Sequence, residues 1–168
     1  RVLNYSGSGI ETTFTQGEDA CLAALVPVLP ATDAPNLLVV GALADVVEDQ
    51  MRRLFAAMGL DAVQFLPPRR STALPAIGRG TRFLLAQPFL ADTARALEER
   101  GAVHLPAAFP LGVEGTTLWL QAAADAFGVE PDRFQAAIEL PRARGLHAVE
   151  RNREKLSGKR AFLFPDSQ

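Results

Sequence analysis

The 168-residue sequence has one cysteine, two histidines, one tryptophan and one tyrosine. A single thiol, Cys21, forms no internal disulfide, and with two histidines beside it the chain lacks the donors for an ordinary zinc or iron–sulfur site of its own. Any cluster therefore needs ligands from elsewhere. Positive charge is not in excess either: 17 Lys and Arg stand against 19 Asp and Glu, which removes the electrostatic footprint of a nucleic-acid binder. No apolar run reaches the roughly 18 residues of a membrane span, because Pro27, Pro30, Gly41 and Asp45 interrupt the richest stretch. What is present is a 48% hydrophobic content, enough for a buried core without covalent staples, so the chain reads as soluble and globular. It opens on Arg1-Val2-Leu3-Asn4-Tyr5, strand-like and without a methionine, and closes on a strand-like run from Lys159 to Pro165 with no helix after it. A segment of a longer polypeptide is the expectation.

Short apolar runs predict strands at Val2–Tyr5, Asn36–Val40, Ala62–Leu66, Arg82–Ala86, Ala102–Leu105 and Arg160–Phe164, several rich in residues that pack well on a sheet. Helical spacing fills the gaps. Over 46–58, Val47, Met51, Leu54, Phe55 and Met58 fall on one face, with Asp45 as the expected N-cap, Glu48 completing an acidic capping box and Gly59 as the left-handed stop. Further helices are predicted around 18–26, from Asp92 to Gly101, and after Thr116–Thr117. In the last, Leu118, Ala122 and Ala126 form one stripe, with Trp119, Ala123 and Phe127 beside it and Gly128 as terminator. Pro131 suits a first helical turn, Pro141 is expected to interrupt that helix, and 142–156 reads as a charged surface helix stopped by Gly158. Pro67–Gly80, with three prolines, reads as a loop or linker.

Strands alternating with helices require crossover connections, which build a mostly parallel sheet covered on both faces. The expected fold class is α/β, a Rossmann-like three-layer domain over residues 1–128. A helical connector over 129–157 and the opening strand of a truncated further domain over 158–168 are expected to follow.

In such sheets ligands collect at the carboxyl ends of the strands. The stretch Tyr5-Ser6-Gly7-Ser8-Gly9-Ile10-Glu11-Thr12 stands between a predicted strand and a predicted helix, and three readings remain open for it: a phosphate cradle, a tight turn, or a cavity-lining loop for another ligand. As a nucleotide fingerprint it is weak, because Thr12 replaces the third glycine. A hydrolase elbow does not fit, since Ser8 has glycines immediately on both sides. Glu11, Glu18 and Asp19 form an imaginable acid–base set, but acidic residues near a helix start are favoured by the helix dipole alone. Cys21, with Leu22, Leu25 and Val26, reads as a small buried hydrophobe. His104 closes a strand at the ligand-bearing edge, and His147 lies in the charged connector. Phe109–Thr117 is a second glycine-bearing loop, with Thr116 or Thr117 as the expected helix cap. Arg69-Arg70 and Arg79–Arg82 read as solvated basic loops or contacts to an anionic partner.

Taken in order, three stretches resemble one family. Tyr5 to Leu22, YSGSGIETTFTQGEDACL, is similar to the signature of the N-subunit family of light-independent (dark-operative) protochlorophyllide reductases. Pro110–Thr117 resembles the proline–glycine–threonine loop of the wider nitrogenase component 1 superfamily, and Leu156–Asp166 the strand opening its third domain. The similarity spans essentially the whole chain, which would make it the middle segment of such a subunit. The resemblance implies a heterotetramer of N and B subunits that reduces the C17=C18 bond of protochlorophyllide to chlorophyllide in (bacterio)chlorophyll biosynthesis. Electrons would come from an ATP-hydrolysing iron–sulfur L protein. It further implies a [4Fe–4S] cluster held by three N-subunit cysteines upstream of Arg1 and an acidic residue of B, so no metal ligand and no catalytic residue falls in this segment. Ser6, Gly7, Ser8, Gly9, Ile10, Glu11, Thr12 and Phe14 become substrate-cavity candidates by analogy. Related chlorophyllide reductases are the in-family alternative, and a self-standing Rossmann-like module binding a nucleotide or anion is the alternative from another class. A cytoplasmic location follows from the resemblance, without nucleic acid or a transmembrane segment.

Overall fold

The structure, a computed structural model, describes residues 14–160. Val2–Tyr5, and all but the first residue of Arg160–Phe164, lie outside that range. Four short strands form one parallel sheet: β1 (Asn36–Val40), β2 (Val63–Leu66), β3 (Thr81–Leu85) and β4 (Val103–His104), in the order β2-β1-β3-β4. The helices are α1 (Phe14–Leu25), α2 (Asp45–Ala57), α3 (Ala91–Glu99), α4 (Gly112–Ala126) and α5 (Pro131–Leu156), with a 3-10 turn at Val26–Val28. The α/β reading of the sequence holds.

Strand periodicity sorts the core into two layers. Leu37 and Val39 of β1, Val63 and Phe65 of β2 and Leu84 of β3 pack with Met51, Phe55, Trp119, Phe134 and Ile138 from α2, α4 and α5. Leu38, Val40, Leu66 and Phe83 face the other way, against Leu22 of α1, Val26 of the 3-10 turn and Leu97 of α3. Because β1 is central, all five of its residues are buried, which accounts for its unbroken apolar run.

Several local expectations need correcting. Asp45 is the first residue of α2, not its cap; Ala44 holds the cap position without a side-chain bond. Glu48 turns to arginines instead of its own backbone: Arg52 Nε and Arg69 Nε donate to its two oxygens at 2.8 and 2.9 Å. Asp92 likewise lies inside α3, after Leu90 at the cap position. α4 starts at Gly112, so Thr116 and Thr117 are internal, and the Thr117 hydroxyl donates back to the Val113 carbonyl at 2.8 Å. Its buried face is Trp119, Leu120, Ala123 and Ala124, which rotates Leu118 into solvent. Pro141 does not interrupt α5. Packing on both sides of it, through Phe134 and Ile138 before and Gly145 against Val113 after, outweighs the lost N–H bond. The glycine stops are as predicted, with positive φ at Gly59, Gly101, Gly128 and Gly158.

Pro67–Gly80 is a packed crossover from β2 to β3. Ile77 is buried; its N–H donates to the Pro30 carbonyl at 2.9 Å, and its own carbonyl accepts from Thr32 N–H at 3.2 Å. Gln64 Oε1 accepts from Ala76 N–H, and Asn36 Nδ2 donates to the Ala76 carbonyl, both at 2.9 Å. A methyl group on Gly78 would run into the Thr32 carbonyl oxygen, which rigid backbone cannot yield. Gly78→Ala is therefore expected to cost about 1–3 kcal/mol, read as a lower urea midpoint of the full polypeptide.

Candidate functional site at the carboxyl edge of the sheet

β1 lies between β2 and β3, so the chain leaves β1 toward one face through α2 and leaves β3 toward the other through α3. The crevice between β1 and β3 is thus the topological switch point, where open α/β sheets bind ligands. Two loops meet there. Gln87, after β3, donates through Nε2 to the Ala42 carbonyl at 2.7 Å, and Glu18 Oε1 accepts from the Ala42 N–H at 2.8 Å. Gly41, with φ +131, leaves room for Gln87: a side chain there would approach Gln87 Cγ to 3.2 Å.

Glu18 and Asp19 bring α1 to the same edge. Asp19 caps α3 from outside: its Oδ1 accepts from Thr93 N–H at 2.8 Å and from the Thr93 hydroxyl at 2.6 Å, and its Oδ2 from Asp92 N–H at 3.0 Å. At the far end of α1 and the turn after it, Arg100 donates to the Val26 and Leu29 carbonyls at 2.7 and 2.8 Å. α1 therefore runs from the carboxyl edge toward the amino edge, with its first residue at the carboxyl edge. Of the cavity candidates, Phe14 is the first residue of α1; Ser6, Gly7, Ser8, Gly9, Ile10, Glu11 and Thr12 lie outside the described residues.

Neither Glu18 nor Asp19 is arranged as an acid–base pair. Nor does either serve its own helix dipole, since α1 has no acidic residue in its first turn. Cys21 is exposed, which corrects the expectation of burial: the face pressed on the core is set by Leu22 and Val26, and Cys21 is turned about 100° from Leu22. Arg69 is exposed yet paired with carboxylates, with Asp49 at 2.8 Å and Glu48 at 2.9 Å; these bonds raise its already high pKa further. Its loop borders a cavity of about 130 Å³ lined by Gly41, Leu43, Phe65 and Pro67. Arg82 lies over the Phe127 ring at 5.6 Å, and His147 is exposed on α5. A larger cavity, about 390 Å³, is bounded by Val113, Thr116 and Leu120 of α4 and Ile138, Pro141 and Gly145 of α5.

Several large apolar side chains are exposed at the edge. Val46 and Val47 at the start of α2, Phe89 after β3, and Phe109 and Leu111 after β4 are all exposed, Leu111 by 85%. The helix N-termini there already carry carboxylates: Asp19 on α3, Asp45 and Glu48 in the first turn of α2, and Glu114 in that of α4. Anions bind helix N-termini when those N–H groups are free; Asp19 occupies those of α3, and the acidic first turns of α2 and α4 oppose an anion there by charge alone. Sequence reasoning singles out Asp19 as an acid rather than as a cap, and Gln87 not at all, because their contacts to Thr93 and Ala42 are remote in sequence.

His104 stacks on Phe83, ring centroids 4.8 Å apart. Burial pulls its pKa below the ordinary histidine value, and Glu98 opposes this. Below about pH 6.5 the unfolded chain takes up a proton that the folded chain resists. Stability should thus fall as the pH drops from about 6.5 toward the lower folded-state pKa. Between pH 7.5 and 5.5, His104→Gln should lose less urea resistance than the wild type.

Among the described residues, no three His, Cys, Asp or Glu side chains are grouped to hold a metal ion, and no helix is long and apolar enough to cross a membrane. Residues 14–160 thus offer no donor set that fits an iron–sulfur cluster.

A doubly wound α/β unit with exposed apolar side chains at its carboxyl edge is the class that fold and site define. The chain belongs to the family described as nitrogenase component 1 type oxidoreductase, whose profile matches residues 1–168. It is 70% identical over 171 residues to the light-independent protochlorophyllide reductase subunit N of Bradyrhizobium sp. (strain BTAi1), covering all of this chain and 40% of that protein. It is 67% identical to the subunit N of Rhodospirillum rubrum over 171 residues, again all of this chain and 39% of the relative. With the subunit N of Rhodopseudomonas palustris (strain TIE-1) it shares 66% over 170 residues, 100% of this chain and 40% of the relative. The chain thus spans about 40% of the length of these relatives.

Proposed function

We propose that this chain is part of the catalytic N–B component of light-independent protochlorophyllide reductase, which adds two electrons and two protons across the C17=C18 bond of protochlorophyllide to give chlorophyllide. The observation that carries the reading is 66–70% identity, along the entire chain, to relatives named as that enzyme's subunit N. The carboxyl edge supports it physically, because a flat, largely apolar macrocycle needs a dry wall with few polar groups. The edge supplies Val46, Phe89, Phe109 and Leu111, and Ser6–Thr12 and Phe14 are assigned to the same cavity because α1, which they lead into, starts there.

Electrons arrive from the ATP-hydrolysing L protein through a [4Fe–4S] cluster whose ligands we place outside the described residues. The B subunit completes the heterotetramer and supplies proton donors, in the cytoplasm. In this scheme residues 1–128 are the Rossmann-like domain, 129–157 a connector and 158–168 the start of a further domain. The chain's own task is geometric: the Glu18–Ala42–Gln87 chain and the Asp19 cap hold the loops of the cavity wall in place. Nucleotide or anion binding is disfavoured by the carboxylates at the helix N-termini.

The test uses the full polypeptide co-expressed with B. With L protein and ATP, the protochlorophyllide absorbance should give way to that of chlorophyllide. A folded, cluster-containing complex that leaves the pigment untouched would overturn the reading, and consumption of chlorophyllide instead would assign the related reductase.

A further inference from the structure

Phe89 combines two features that neither packing nor backbone preference explains. Its φ is +67, the one positive value at a non-glycine among the described residues. A bulky L-residue is an outlier there, where glycine would sit without strain. The residue is also 59% exposed, so burial is not what holds it in that conformation. The loop around it is fixed on both sides. Gln87 is tied to the Ala42 carbonyl at 2.7 Å. Leu90 is buried and accepts from Ala94 N–H at 2.9 Å, and the helix turn after it is capped by Asp19. A well-anchored loop thus presents an unpacked aromatic ring at the switch point between β1 and β3.

We infer that Phe89 is a substrate-contacting residue, its phenyl ring forming part of the wall on which the planar macrocycle packs. This rests on the proposed function. A phenyl ring suits that ligand because flat π-systems gain from offset or edge contact with one another. Strain held at a ligand-binding loop is where such outliers concentrate.

The experiment uses the full polypeptide in its complex with B, comparing wild type with Phe89→Gly, Phe89→Asn and Phe89→Tyr. Glycine and asparagine both tolerate positive φ, so these variants remove the ring while relieving the strain. The expected result is a melting temperature equal to or above wild type, an unchanged complex mass and a KM for protochlorophyllide raised about tenfold. Phe89→Tyr should stay near the wild-type KM. A residue of merely structural importance would lower the melting temperature instead. An unchanged KM in Phe89→Gly and Phe89→Asn overturns the inference, as does weakened affinity for B with an unchanged KM at saturating B, which would make Phe89 a subunit contact. A wild-type complex that reduces the pigment while those variants match it sinks only this inference; a wild-type complex that does not reduce it sinks the proposed function.

Discussion

Replacing Trp119 by alanine is expected to destabilise the protein by about 3–5 kcal/mol, among the largest effects expected at the described residues. The indole is fully buried, its ring lies 5.8 Å from that of Phe55, and its Nε1 donates to the Leu85 carbonyl at 2.9 Å. Alanine would remove the packing between α4, α2 and the sheet and leave a buried void. It would also free the Leu85 carbonyl at the end of β3, where the chain turns into the Gln87–Leu90 loop. Trp119→Phe keeps most of the ring and forfeits the hydrogen bond, so about 1 kcal/mol is expected for the lost bond, plus a modest packing term. Urea unfolding followed by circular dichroism on the full polypeptide should rank wild type, Trp119→Phe and Trp119→Ala in that order. Equal midpoints for the two variants would show that the Leu85 bond and the void have been misjudged.

Asp19→Ala is the second large effect, roughly 2–3 kcal/mol, because it strips the N-cap of α3 and leaves the buried Thr93 N–H without its acceptor. Asp19→Asn keeps one carbonyl oxygen but turns an N–H toward a backbone donor, so an intermediate loss is expected. Thr93→Val removes the 2.6 Å hydroxyl bond and is also destabilising. Since both substitutions disturb one network, Asp19→Ala with Thr93→Val should cost less than the two separately. Denaturation midpoints of the four proteins check this, and strict additivity would mean that Asp19 and Thr93 do not act together.

How much of this was legible beforehand depended on the range of the forces involved. The apolar run in Asn36–Val40 and the spacing of Met51, Phe55 and Met58 are local patterns, and both elements stand where they were predicted. Gly59 and Gly101 were readable for the same reason, since a positive φ is a one-residue requirement. Errors came where a tertiary partner decided. Cys21 and Leu118 lie one residue from core positions and are rotated into solvent by the packing of Leu22 and Trp119. Pro141 breaks helices in isolation, yet here contacts on both sides of it carry α5 through. Of the site, the carboxyl-edge location followed from the strand–helix order alone. Asp19 capping a helix 74 residues further along and Gln87 reaching Ala42 had no sequence signal, and the positive φ of Phe89 is visible only in the folded backbone.

One physical picture joins these results. A parallel sheet brings its carboxyl ends together, Asp19 caps α3 there while α2 and α4 carry acidic first turns, and apolar side chains stand exposed along the rim. The most direct test of that picture is an experimental structure of the full polypeptide with B and bound protochlorophyllide. The account predicts the macrocycle at the carboxyl edge, in van der Waals contact with Phe89 and with residues of the 6–14 segment. Pigment at the amino edge, or held without any residue of this chain, would contradict it.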